Sequence, residues 1–188
     1  MMDPLDVIRV LNRARVRFVL TGSYGLAHWN LQFYTGRVVE LIVARKDLKL
    51  AEKVLDEAYP NPRSVNCPLL VRLEDRETWN VGVVLVKPYM QPYLEALRRT
   101  SPLSTSGQRY RIPSLEMAIV MTFSTMFSMY RAEADRIRDE QDFSQIVRNN
   151  PDFDAEKLVK IGSLLFRQAG KYVLGMARQA LAGERLTI

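Results

Sequence analysis

The stretch Leu20–Val43, LTGSYGLAHWNLQFYTGRVVELIV, decides how the chain is read. It starts at the end of RFVL (17–20), a short apolar run of strand composition. Gly22-Ser23 then makes a turn, and Ser23 can cap a helix reaching about Trp29. VVELIVA (38–44) is the next strand. A Gly-Ser turn at a helix start offers backbone N–H groups and a hydroxyl to an anion. Residues two apart on a strand point to one face, so a paired acid on this strand would stand two positions from its partner. RVVELIV carries one acid, Glu40.

On the N-terminal side, Asp3 can cap a first helix with Pro4 at its first position and an apolar face of Leu5, Val7, Ile8 and Leu11. On the C-terminal side, Asp47 is placed to cap LKLAEKVLDEAY, a helix with Leu48, Ala51, Val54, Leu55 and Ala58 on one face. SVNCPLLVRL and TWNVGVVLV flank the polar turn EDRE and read as an antiparallel hairpin, with strands near 66–73 and 78–86. YMQPYLEALRRT reads as helical and GQRYRIP as an edge strand. From Ser114 onward the chain reads as helix, in runs over about 114–130 and 131–148 and then one or two more beyond NNPD. Mixed elements first and helices last predict an α+β fold, with an α/β core over 1–112 and a helical region over 113–188 packed on it.

Composition excludes several classes. One Cys, Cys67, permits neither an internal disulfide nor a zinc knuckle, and His28 is the only histidine. No apolar run reaches the length of a membrane span, and MMDPLDVIRV lacks the basic n-region of a signal peptide. The expectation is a cytoplasmic protein with no membrane association. A net charge of +6 is compatible with a nucleic acid or another polyanion. Arg98, Arg99, Arg109, Arg111, Arg131, Arg136 and Arg138 could converge on phosphate, though scattered surface charge is the simpler account.

The pattern resembles the nucleotidyltransferase superfamily, and within it the small abortive-infection (AbiEii-like) branch. That family has a strand, Gly-Gly or Gly-Ser, a helix, and about fourteen residues later a strand reading acid–apolar–acid–apolar. Here Gly22-Ser23 is followed by the fourteen residues Tyr24 to Arg37 and then by Val38-Val39-Glu40-Leu41. IPSLEMAIVMTF (112–123) resembles the family's Glu-bearing helix, with Glu116 at that position. RDEQDFSQIV (138–147) resembles its basic–Asp–x–x–Asp helix, with Arg138, Asp139 and Asp142 on the matching positions. The resemblance implies a mixed sheet flanked by helices, and a nucleotide or other phosphate ligand held by Gly22, Ser23, Arg37 and Arg138. In the family, paired carboxylates hold Mg²⁺, which neutralises triphosphate charge and activates a hydroxyl.

Three positions depart from the pattern. Val38 stands where the first acid of the pair is expected, and Gly82, with Asn80 on its face, where the third carboxylate is expected. Thr122 stands where a phosphate-binding Lys is expected, seventh counting from Glu116. Glu40 remains as a catalytic remnant. The nearby acids do not replace the missing ones. Asp47 reads as a cap, and Glu74, Asp75 and Glu77 as the solvated tip of a hairpin. The resulting expectation is a catalytically degenerate binding or regulatory module without metal or cofactor. Two alternatives stay open. One is an active, toxin-like nucleotidyltransferase that moves a nucleotide from NTP to RNA or protein with Mg²⁺. The other is a pure interaction module with a protein partner on the Met-rich helix, although Met117, Met121, Met126 and Met129, with Phe123 and Phe127, also suit a core. Trp29, Phe33, Tyr34 and Trp79 could stack a base or pack the core.

Overall fold

The structure is a computed structural model that describes residues 3–31, 38–59, 62–129 and 131–186. The chain forms two compact units, one of Met1–Ala27 with Phe33–Pro113, the other of His28–Gln32 with Ser114–Ile188.

The first unit begins with helix α1 (Pro4–Arg13), where Asp3 Oδ1 accepts from Leu5 N at 2.7 Å and Pro4 occupies the first turn. Val7, Ile8 and Leu11 are its buried stripe. Strand β1 (Phe18–Thr21), helix α2 (Gly22–Asn30), β2 (Val39–Val43) and α3 (Leu48–Ala58) follow, with a single 3₁₀ turn at Arg45–Asp47. Next come β3 (Pro62–Asn66), β4 (Leu70–Asp75), β5 (Val81–Val86), the four-residue helix α4 (Tyr93–Ala96), β6 (Thr100–Thr105) and β7 (Gln108–Pro113). Five strands form one mixed sheet in the order β1-β2-β5-β4-β3. Only the β2–β5 pair is parallel, and the others run antiparallel. β6 and β7 form a separate two-stranded sheet.

Four expectations change. The run SVNCPLLVRL is two strands rather than one. Pro68 has no N–H to give to a ladder, and Cys67 N turns back to Leu70 O at 2.9 Å. Lys87 Nζ pins that bend by donating to Asn66 Oδ1 and Cys67 O, both at 2.6 Å. YMQPYLEALRRT is helical only over Tyr93–Ala96, after Pro92, and its last residue opens β6. The segment after it forms a strand, β6, that the sequence pattern does not mark. Its hairpin turns on Ser106 and Gly107, both left-handed at φ 49° and 75°, as a two-residue loop of the primed type requires. Asp47 does not cap α3; its Oδ2 accepts from Arg17 N at 3.1 Å instead.

The second unit is helical: α5 (Leu115–Met126), α6 (Glu133–Asn149), α7 (Ala155–Gly162) and α8 (Ala169–Leu181). α5 is apolar over most of its surface, and Met117, Ala118, Ile119, Val120, Met121, Phe123 and Met126 are all buried. Such a helix lies inside rather than on the surface, and α6 and α7 pack against it. The Met-rich segment is therefore chiefly core; Met129, beyond the helix, is 89% exposed.

α7 and α8 cross at glycines. A Cβ on Gly170 would stand 2.2 Å from Val159 O and 2.5 Å from Ser163 Oγ, so neither helix can yield without separating. A Cβ on Gly175, further along the same helix α8, would meet nothing within 4 Å. Gly170→Ala is expected to destabilise by about 1–3 kcal/mol through overpacking. Gly175→Ala is expected to stabilise by about 0.5–1 kcal/mol by removing backbone freedom from the unfolded chain. Urea unfolding of both variants checks the opposite signs.

Candidate functional site

The corner singled out by the sequence lies where β1 passes into α2. Gly22 starts the helix at φ +59°, a left-handed conformation that glycine adopts without strain. Ser23 sits one residue inside the helix rather than ahead of it as a cap. Thr21 is directly opposite Glu40 in the β1–β2 ladder. Glu40 is opposite Val84 in the β2–β5 ladder, and Val84 is opposite Arg72 in the β5–β4 ladder. Directly opposed residues share a face, so Thr21, Glu40, Val84 and Arg72 form one row across the sheet. Gly82 stands on that same face, two residues before Val84. β5 thus presents Gly82 and Val84 to the corner, with Asn80 just ahead of the strand and its carbonyl bound by Asp75 N at 3.0 Å.

Glu40 lies along Gly22. A Cβ on Gly22 would come within 2.8 Å of Glu40 Cδ and 2.9 Å of its Oε2. The carboxylate thereby stands against the first turn of α2, the end where a helix favours negative charge, an effect of about 0.3–1 kcal/mol at exposed positions. Val38 is half-buried just ahead of β2. Arg37, Phe33 and Tyr34 lie outside the described residues. Among the described residues no three His, Cys, Asp or Glu side chains gather as a group able to hold a metal.

The sequence pattern does not mark Arg72, and it places Glu74 in the turn. Glu74 is instead on β4, 6% exposed, with its Oε1 3.1 Å from Arg72 Nε. Asp75 organises the turn itself, accepting from Glu77 N, Thr78 N and Thr78 Oγ1 at 2.8–3.0 Å. Bonds from Thr78 chiefly hold its carboxyl below the usual carboxylate range. Alternation on β4 was the signal for Arg72, since it places Arg72 on the face opposite Val71 and Leu73.

The remaining family positions lie in the second unit. Glu116 is buried, accepts from Asp154 N at 3.3 Å and pairs with Lys157, which ties α5 to the start of α7. Thr122 is 3% exposed, and its hydroxyl is turned back to Ala118 O at 3.0 Å, one turn earlier on its own helix. Asp139 pairs with Arg131 through two N–O contacts of 2.8 Å. Asp142 accepts from Asn30 Nδ2 at 2.9 Å. Asn149 and Asn150 donate to Asn30 O and Trp29 O at 2.7 and 2.8 Å, satisfying carbonyls at the end of α2. Arg138 is exposed beside Asp135 at 3.3 Å. His28 is exposed and stacks edge-on with Trp29. Burial raises the Asp139 carboxyl against the opposing pull of Arg131. Burial also raises the Asp142 carboxyl, and the Asp139 charge adds to it.

No family model matches the sequence, and no curated protein matches it. Solved structures do match the fold. The antibiotic-resistance factor ANT(2'')-Ia aligns with a TM-score of 0.57 at 10% identity, over 96% of each chain. The lincosamide antibiotic adenylyltransferase LnuA, in its lincomycin-bound crystal structure, aligns with a TM-score of 0.53 at 11% identity, over 76% of this chain and 94% of that one. An antigenic nucleotidyltransferase-like protein from Paracoccidioides brasiliensis aligns with a TM-score of 0.54 at 12% identity, over 97% and 91%. The chain has the nucleotidyltransferase fold: a five-stranded mixed sheet with flanking helices and a helical C-terminal part. Among the described residues no helix is long and apolar enough to cross a membrane.

The contact between Gly22 and Glu40 yields a double-mutant cycle. Gly22→Ala alone is expected to cost about 1–2 kcal/mol for the left-handed backbone, with a steric part from Glu40 in addition. In a Glu40→Ala background the steric part falls away, so urea unfolding should give a coupling of at least about 0.5 kcal/mol. Additive effects would show that the two residues do not touch.

A second expectation concerns Asp142. Its carboxyl titrates above its unfolded value, so between the two the native state holds a proton that the unfolded chain has released. Stability is therefore lost as pH rises through that window. Asp142→Asn cannot titrate and keeps an acceptor for Asn30. Its Tm relative to wild type should be more favourable at about pH 7 than at about pH 4. An equal difference at both would contradict the raised carboxyl.

Proposed function

We propose that this chain is a nucleotidyltransferase-fold protein, of the abortive-infection AbiEii-like type by motif order, that works as a binding or regulatory module without two-metal catalysis. Its ligand is a nucleotide or another phosphate compound received at the start of α2. The observation carrying this reading is the row Thr21, Glu40, Val84, Arg72 across the sheet. Where a metal pair would need a second carboxylate facing Glu40, β5 offers a valine and a glycine, and the next strand offers a cation. Mg²⁺ demands octahedral oxygen ligation and dehydrates reluctantly, so one carboxylate beside a phosphate is a poor donor set. The residues present do not fit two Mg²⁺ ions. Thr122 supports the same reading, because its hydroxyl is already bonded to its own helix and carries no charge.

Phosphoryl transfer depends chiefly on positioning and on neutralising charge. Withdrawing even about 4 kcal/mol of that stabilisation slows the reaction about a thousandfold.

A competing reading is favoured by the neighbours themselves. ANT(2'')-Ia has been crystallised with adenylyl-2''-tobramycin and LnuA with lincomycin, so the shared fold is one that carries nucleotide transfer. One set of measurements separates the two readings. Thermal shift with each of the common NTPs, with and without Mg²⁺, should show stabilisation that does not depend on the metal, and radiolabelled NTP should label no acceptor in RNA or cell extract above background. Mg²⁺-dependent stabilisation together with labelling that Glu40→Ala abolishes would establish the enzyme instead.

A further inference from the structure

The turn between β4 and β5 carries an aromatic side chain that the turn itself does not require. Trp79 is 61% exposed and stands in the left-handed region at φ 58°. That conformation is uncommon for a bulky residue, whereas Asn takes it with less strain. The turn is closed by its backbone: Trp79 N donates to Asp75 O at 2.8 Å and Asp75 N to Asn80 O at 3.0 Å. The indole instead has a partner on the neighbouring edge strand. The guanidinium of Arg63, on β3, lies over the ring, 4.4 Å from its centroid. Arg76 Nε, in the same turn, donates to Pro62 O at 2.8 Å and ties the turn to the start of β3.

Register puts Arg63 on the face that carries Glu40. Arg63 is opposite Glu74, and Val65 opposite Arg72, in the β3–β4 ladder. Glu74 and Arg72 are two apart on β4 and share a face, which is also the face of Val84, Glu40 and Thr21. The stacked pair stands at the same end of the sheet as the Gly22 corner. β1 and β4 run opposite to β2, β5 and β3, so Gly22 after β1, Trp79 before β5 and Arg63 at the start of β3 all lie at one end. Trp79 is bonded to the last residue of β4, and β4 is three strand spacings from β1, or about 14 Å. Between them β5 crosses at Gly82, which has no side chain.

An exposed indole with one face on a guanidinium and the other open is a stacking surface for a flat ring. Arg63 and Arg76 beside it oppose a cationic ligand and suit one that carries negative charge. A nucleotide supplies both a flat base and that charge, and its length decides which nucleotide fits. From the terminal phosphorus of a nucleoside triphosphate to the glycosidic nitrogen is about ten bonds, or about 12 Å for an extended chain, and the base adds its own width. A monophosphate has about six bonds and reaches only about 7 Å. The triphosphate therefore spans from Gly22 to Trp79 and the monophosphate does not. We propose that Trp79, stacked on Arg63, receives the base of a nucleoside triphosphate whose terminal phosphates lie at the start of α2; this rests on the reading of the Gly22 corner as the phosphate site.

The test is isothermal titration calorimetry of the full chain with ATP, inorganic tripolyphosphate and AMP, each with and without Mg²⁺. ATP should bind at least about fivefold tighter than tripolyphosphate, the smaller end of what one stacked base contributes. Trp79→Asn should remove that advantage, weakening ATP to the level of tripolyphosphate and leaving tripolyphosphate itself unchanged. Trp79→Tyr, which keeps a ring, should retain most of the ATP affinity. A role confined to the turn would not move the ratio between the two ligands. ATP should also quench the tryptophan emission of wild type by an amount lost in Trp79→Tyr, in which Trp29 is the remaining tryptophan. A thermal melt of each variant confirms folding, and Asn suits the left-handed position. Equal binding of ATP and tripolyphosphate would overturn the base site while leaving the phosphate site standing. An ATP affinity unchanged in Trp79→Asn, or AMP binding as tightly as ATP, would do the same. Binding of neither ATP nor tripolyphosphate would overturn the phosphate site and the base site together.

Discussion

The register of β2 between β1 and β5 is the constraint on which the rest of the first unit depends. Val39, Leu41, Ile42 and Val43 are all 0% exposed, and Glu40 is the half-buried residue among them. A half-buried carboxylate among such apolar neighbours gains from a local answer to its charge. The start of α2 supplies an answer. Because Gly22 has no Cβ and takes a left-handed turn, the helix can begin directly against Glu40. One register, Thr21 against Glu40, thus sets the turn, the helix start and the acid together. The parallel pairing with β5 then determines what stands across from the acid. In this chain that is Val84 rather than a second oxygen ligand.

The parts of this fold that were legible in the sequence are those governed by one local rule. Asp3 followed by Pro4 marks a helix start unambiguously, and α1 begins there with the expected cap bond. The mostly apolar run over α5 suited an interior helix, and most of it is buried. The strand around Glu40 followed from composition, and its place beside β5 from the resemblance. What failed was wherever a distant residue decided the outcome. Asp47 has the sequence context of a cap, but Arg17, thirty residues earlier, presents its N–H to that carboxylate first. SVNCPLLVRL has strand composition throughout, and only Pro68 signals that it must bend. The Ser106-Gly107 turn was visible as a dipeptide, yet the strand before it contains Pro102 and lacks β-branched content beyond Thr100 and Thr105. It pairs as an edge, where a missing donor is tolerated.

The candidate site was legible in its residue types but not in its geometry. Glu74 reads as turn charge until the β4 register puts it beside Arg72 and out of solvent. Arg72 reads as surface until the same register places it in one row with Glu40. A sequence gives the alternation of a strand but not its neighbour, and here the neighbour decides the electrostatics of the whole face.

The arginines make the same point about charge. A net charge of +6 indicates affinity for anions in general and no particular place. Most of the arginines first considered are occupied by partners close in sequence: Arg98 and Arg99 by Glu95, Arg131 by Asp139, Arg138 by Asp135. Such pairs stabilise by at most about 1 kcal/mol each at the surface, yet they neutralise the field that a phosphate would feel. Basic charge becomes a binding feature only where the fold separates it from acids. In the first unit that condition holds at the hairpin β6–β7, where alternation puts Arg109 and Arg111 on one face, opposite Ser104 and Pro102.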